Sequence, residues 1–189
     1  MDDRRTLICR AAIEILADGG LRSLTHHGID RRLGLALGST SYYFRTRHAL
    51  LMATAAWLAE DSRQHLSRAL SAPRPAGLPA HDAAARLVSG QLLELLGPRR
   101  NQALARAALL GEPGLDQDVR RALAHSLFSV PAAARLFEDL GAPDPAVAAE
   151  DLVSFLEGLL QRGLWAEALP SEAEADAAIA RHLRQVLGG

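Results

Sequence analysis

The sequence predicts an all-α protein, and three observations carry that expectation. Aromatic residues make up only 4% of its 189 residues while alanine and leucine dominate, a composition that favours helices over sheets. Apolar residues recur at helical spacing along most of the chain. Glycines, prolines and capping side chains punctuate those runs, dividing the chain into about nine helices.

The first helix is read from Ile8, Ala11, Ala12, Ile15 and Leu16, the stripe of a helix with one buried face. Asp18-Gly19-Gly20 ends it, because glycine accepts the left-handed position that follows a helix. Thr25 is placed to N-cap a short second helix carrying Ile29 and Leu33, with Gly28 leaving the capping box half-built. Gly34 supplies a sharp turn, and a third helix is expected over Ala36 to Tyr43, roughly 12 Å long. This third rod is about as long as the major groove of DNA is wide.

The face of that rod is small and neutral. Leu37, Gly38, Ser39 and Thr40 let a helix approach base edges closely; the two hydroxyls can donate or accept, and Leu37 and the Thr40 methyl can touch a thymine methyl. Tyr42, Tyr43, Arg45, Arg47 and His48 follow with donors suited to phosphate oxygens. His26 and His27, beside Thr25 at the start of the second helix, add donors where the helix dipole already favours an anion. The competing reading makes Tyr42, Tyr43 and Phe44 core aromatics and the Arg/His cluster a solvated face; Phe44 itself is read as core.

The segment resembles the TetR family of bacterial transcriptional regulators, whose three-helix N-terminal domain ends in a pattern of the form G-x-x-Y-x-Y/H-F-x-x-K. Gly38, Tyr43, Phe44 and Arg47 fall on it, with arginine in place of lysine and Ser41 where the first tyrosine is usual. The resemblance covers about the first 55 residues. It implies a helix-turn-helix DNA-binding domain over residues 1–47 and a larger helical effector-binding and dimerisation domain over 48–189.

Net charge is −1, but it is unevenly distributed. Residues 1–50 hold eight arginines against five acids, plus His26, His27 and His48, and the remainder holds thirteen against seventeen. A basic reading head on an acidic body fits that division. The small positive excess predicts modest nonspecific affinity per subunit, so two heads are expected for tight binding. A single cysteine, Cys9, excludes an internal disulfide framework. No apolar run approaches 18 residues and no signal peptide is evident, so a cytoplasmic location without membrane insertion is expected.

The remaining helices follow in order. Thr46 can N-cap a long fourth helix reaching about Leu70, and the proline-rich stretch 71–80 is read as a loop. Ala85, Val88, Leu92, Leu95 and Leu96 mark a fifth helix ending near Gly97-Pro98. Residues 100–111 suggest a sixth, Leu115 to Phe128 a seventh, and a short helix carries Leu136, Phe137 and Leu140 after Pro131. Asp144-Pro145 is a natural N-cap and N1 pair for a helix over about 145–168. Ser171 with Glu174 forms a capping box for the last helix.

The helix over 145–168 is apolar around about half its circumference, more than the roughly 100° stripe one core demands. Leu152, Phe155, Leu156, Leu159 and Leu160 on it, with Ile179, Leu183, Val186 and Leu187 on the last helix, are expected to pair with their copies in a four-helix homodimer interface. Ordinary monomer core is the alternative. Two recognition helices related by a two-fold axis would read a palindromic operator with half-sites about 34–36 Å apart. The expected function is a repressor released from that operator by a small-molecule effector.

Along the fourth helix the stripe Leu50, Thr54, Trp57 continues into Asp61, His65 and Arg68. Trp57, Asp61 and His65, with Gln91, His125, Phe128, Gln161 and Trp165 from other helices, are candidate pocket residues. Otherwise that side turns into solvent and Leu66 and Leu70 become the core side. No metal site, cofactor or enzyme is expected, since the histidines are scattered and Cys9 has no catalytic partner in view. A helical protein-interaction module without DNA binding is the other functional reading.

Overall fold

The computed structural model describes residues 3–71, 77–166 and 168–187. Among them lie ten helices: α1 (Arg4–Ser23), α2 (His26–Arg32), α3 (Ser39–Tyr43), α4 (Arg47–Leu70), α5 (Ala80–Leu96), α6 (Arg100–Leu110), α7 (Gln117–Ala124), α8 (Val130–Asp139), α9 (Pro145–Leu164) and α10 (Glu172–Val186). They form two compact units, one of residues 1–64 with 100–127 and one of 65–99 with 128–189. The first unit runs past residue 47, taking in most of α4 together with α6, which packs against α1, and α7.

In the first unit α1 buries Ile8, Cys9, Ala12 and Leu16 in a core that also takes Leu24 and Ile29, Phe44, Leu50 and Leu58, and Leu109 and Leu123. Gly20, at φ +66°, breaks the helical path of α1 near its end. Burial pushes the Cys9 thiol up to about 11, leaving it neutral and suited to packing. The Thr25 hydroxyl accepts from Gly28 N–H at 2.9 Å, and the Thr46 hydroxyl accepts from Ala49 N–H at 3.0 Å at the start of α4. α7 stops at Ala124, short of Phe128. The buried Arg106 guanidinium donates to the carbonyls of Leu123 and Ala124, and the Ser126 hydroxyl donates to Leu123 at 2.8 Å, so side chains replace the next helical turn.

The second unit packs α9 against α8 and α5, and α10 against α5 and α9. Both neighbours of the broad apolar surface of α9 are therefore supplied within one chain. Leu152, Leu156, Leu160, Ile179 and Leu183 are buried at 4% exposure or less. This corrects their assignment to a subunit interface: they are intrachain core. Phe155, Leu159, Val186 and Leu187 stay half-exposed. Close packing is sharpest at Gly163, where a Cβ would lie 2.6 Å from Leu96 Cδ2. The Asp144 carboxylate caps α9 by accepting from Val147 N–H at 3.2 Å, and α9 ends at Leu164, short of 168. The Ser171–Glu174 capping box forms as expected. Of the proline-rich stretch, residues 72–76 lie outside the described residues, as does residue 167.

Candidate nucleic-acid interface

Two helix ends and one buried acid build the turn between α2 and α3. Gly34 and Gly38 hold φ at +63° and +93°, a region where a Cβ clashes with the backbone. Asp30, fully buried on α2, accepts Gly38 N–H at 2.8 Å, Thr40 N–H at 2.8 Å and the Thr40 hydroxyl at 2.6 Å. Burial pushes the Asp30 carboxyl up, but these donors outweigh it and hold the group below its ordinary value. Its charge also faces the unsatisfied N–H groups at the start of α3. α2 is in turn fastened to α1 by Arg32, whose guanidinium reaches Glu14 at 2.7 Å and Asp18 at 2.9 Å.

This geometry corrects the expected third helix. α3 starts at Ser39, because Asp30 and left-handed Gly38 cap it there, and five residues span about 7.5 Å. Leu37 and Gly38 belong to the turn that leads into it. Thr40 is fully buried, with its hydroxyl on Asp30, and so is withdrawn from the surface expected to read bases. The Ser39 hydroxyl donates to Ala36 C=O at 2.6 Å, leaving oxygen lone pairs but no proton to offer. His26 is half-buried and hydrogen-bonds Phe44 C=O through Nε2 at 2.7 Å, which requires the proton on that nitrogen and makes the ring a clasp between α2 and the end of α3.

What remains outward is a compact set. Tyr42 is 82% exposed and Leu37 72%, with Ser41, Arg45, His27, His48 and the Thr25 edge exposed around them. Tyr43 is half-buried against the core and meets the Tyr42 ring edge-on at 5.2 Å between centroids. Phe44 is core, as expected, and carries the Arg5 guanidinium 5.2 Å above its ring. Arg47 is exposed but engaged: it donates to Leu21 C=O and lies 3.8 Å from Glu112. The sequence reading missed Asp30. Its signal was that it is the one acid between Asp18 and Glu60, inside an otherwise basic stretch.

The second unit contains a cavity of about 250 Å³ among the ends of α4 and α8 and the middles of α5 and α9. Of the expected pocket residues, Gln91 and Phe128 line it, and Trp57, Asp61, His65, His125, Gln161 and Trp165 do not. α4 presents Leu66, Ala69 and Leu70 there; Leu66 is buried, Leu70 is 43% exposed, and Asp61 and His65 are half-buried away from the cavity. Trp57 instead carries Arg10 5.6 Å above its ring, Trp165 is 73% exposed beyond the end of α9, and His125 and Gln161 are also exposed.

Solved structures with this arrangement decide the fold. A transcriptional regulator from Rhodococcus sp. Rha1 superposes with a TM-score of 0.74 at 18% identity, covering 98% of this chain and 96% of that one. A member of the TetR family from Streptomyces coelicolor A3 gives 0.66 at 24% identity, covering 96% and 98%. The chain has the TetR-family fold. The multidrug binding protein EbrR complexed with ethidium superposes with a TM-score of 0.63 at 22% identity, covering 95% and 98%. No family model and no curated relative matches the chain. Among the described residues no helix is long and apolar enough to cross a membrane.

Proposed function

We propose that this TetR-fold chain is a DNA-binding transcriptional regulator rather than an enzyme. It acts in the cytoplasm as a repressor that binds a palindromic operator as a homodimer and is released by a small-molecule effector. The observation that carries the reading is the braced turn: Asp30 holds the start of α3 rigidly while Leu37, Ser41 and Tyr42 stand outward beside Arg45 and His48. A preorganised, uncharged tip flanked by cations suits base edges in the centre and phosphates at the rim. Thr25, His27 and Arg47 extend the phosphate-facing rim, and Gly38 and Ser39 bring the backbone close.

The half-exposed face of α9 and α10, with Phe155, Leu159, Val186 and Leu187, is the surface for a second copy. Phe155 stacks on His182 at 4.2 Å, and the exposed Gly158 has open space where a Cβ would stand, which lets another helix approach closely. The cavity in the second unit holds the effector, whose influence on DNA equals its difference in affinity between competent and incompetent states.

Selection of genomic fragments by the purified chain, followed by mobility-shift titration at several salt concentrations, tests the reading. An inverted-repeat site bound with steep salt dependence is expected, and Arg47→Ala should weaken it with helicity intact. A protein-interaction module would retain no DNA at any salt concentration.

A further inference from the structure

We propose that the cavity of the second unit takes an amphiphile carrying one negative charge, a carboxylate on a flexible apolar body; this rests on its being the effector site. Leu66, Leu87, Phe128, Leu136, Leu152 and Leu156 form most of its wall, a lining that rewards an apolar body and offers it no hydrogen bonds. The polar groups are few. α8 contributes Ser129, Arg135 and Asp139, and α5 contributes the buried amide of Gln91.

Among these the charges are not equivalent. Asp139 is already engaged within the chain, whereas Arg135, exposed at the edge of the cavity, has no ion pair or hydrogen bond among the described residues. Its guanidinium is a fork of donors shaped for a carboxylate, on the rim of a mainly apolar space. The N-terminal end of α8, capped by Ser129 through Ala132 N–H at 3.2 Å, lines the same wall and adds positive potential. Asp139 stands one turn beyond Arg135 on α8, so an anionic head is expected on the Ser129 side of Arg135. An ammonium head would be repelled by Arg135, and Asp139 is already engaged.

Calorimetric titration of the full chain with decanoate, decylamine and decanol tests this. Decanoate is expected to bind at least tenfold more tightly than decylamine. Arg135→Gln, at an exposed position, should weaken decanoate at least tenfold and leave decanol unchanged. Val88→Phe, which fills the cavity, should weaken both decanoate and decanol, with circular dichroism confirming that the variant is folded. Equal or tighter binding of decylamine, or decanoate binding indifferent to Arg135→Gln, overturns the charge assignment while the cavity stands. Decanoate binding indifferent to Val88→Phe places it elsewhere and overturns the proposal. If none of the three probes binds, the effector-site reading falls with it.

Discussion

The Asp30 carboxylate lies 2.6 Å from the Thr40 hydroxyl and also accepts the Thr40 backbone N–H, so a residue of α2 caps α3 across the turn. One buried side chain thereby satisfies three donors, two of them on the fully buried Thr40. Removing it leaves them unmet, a deficit of roughly 3 kcal/mol in all. Asp30→Ala should lower the stability of the first unit by about that amount and weaken DNA binding beyond the loss of folded protein. Urea unfolding followed by circular dichroism, beside mobility shifts, checks both.

Asp30 also predicts a pH dependence. Its carboxyl is held below the ordinary value of 3.8 by Thr40 and Gly38, despite burial. A depressed acid stabilises the fold fully above its unfolded value, and that contribution is lost as pH falls through the lower folded value. The stability difference between the native chain and Asp30→Asn should therefore be constant above about pH 5 and shrink below about pH 4. A difference that grows on acidification would contradict the assignment.

Gly38 holds φ at +93°, where an L side chain is strained. Gly38→Ala should cost about 1–2 kcal/mol and displace the start of α3. Thermal unfolding measures the first effect. Hydrogen exchange at the Thr40 amide, which should quicken, measures the second.

Tyr42 is 82% exposed and contributes little to packing. Tyr42→Ala should change stability by less than about 0.5 kcal/mol. If α3 reads DNA as proposed, the same variant should lose at least several-fold in operator affinity. Parallel melting and mobility-shift curves separate the two, whereas the half-buried Tyr43 would confound them.

Gly163 faces Leu96 so closely that an added methyl would sit 2.6 Å from Cδ2 and 2.8 Å from Cδ1. Leu96 is itself buried at 1% exposure and has little room to yield. Gly163→Ala should destabilise the second unit by about 1–3 kcal/mol. Leu96→Ala should be strongly non-additive with it, which a double-mutant cycle reads directly.

Much of the fold was legible in local signals. Thr25, Thr46, Asp144 and Ser171 each cap the helix start expected of them, because capping is a contact between residues three apart and needs no tertiary partner. Gly34 turns the chain as expected for the same reason. The ends of α7 and α9 were overrun, since Arg106, distant in sequence, takes the last carbonyls of α7. The recognition surface was half legible. Tyr42 and Leu37 are outward as expected, but Thr40 is turned inward by Asp30, a partner ten residues away that no periodicity marks.

The sequence by itself determined an all-helical chain, the limits of most helices, the glycine turns and the basic character of the first fifty residues, all properties of neighbouring side chains and backbone conformation. Tertiary structure alone decided that Leu152, Leu156 and Leu160 of α9 and Leu183 of α10 fill one chain's core, that α6 joins the N-terminal unit, and that Leu66 and Leu70 rather than His65 line the cavity. An apolar stripe states only that a face must be covered. What covers it depends on how helices distant in sequence pack together.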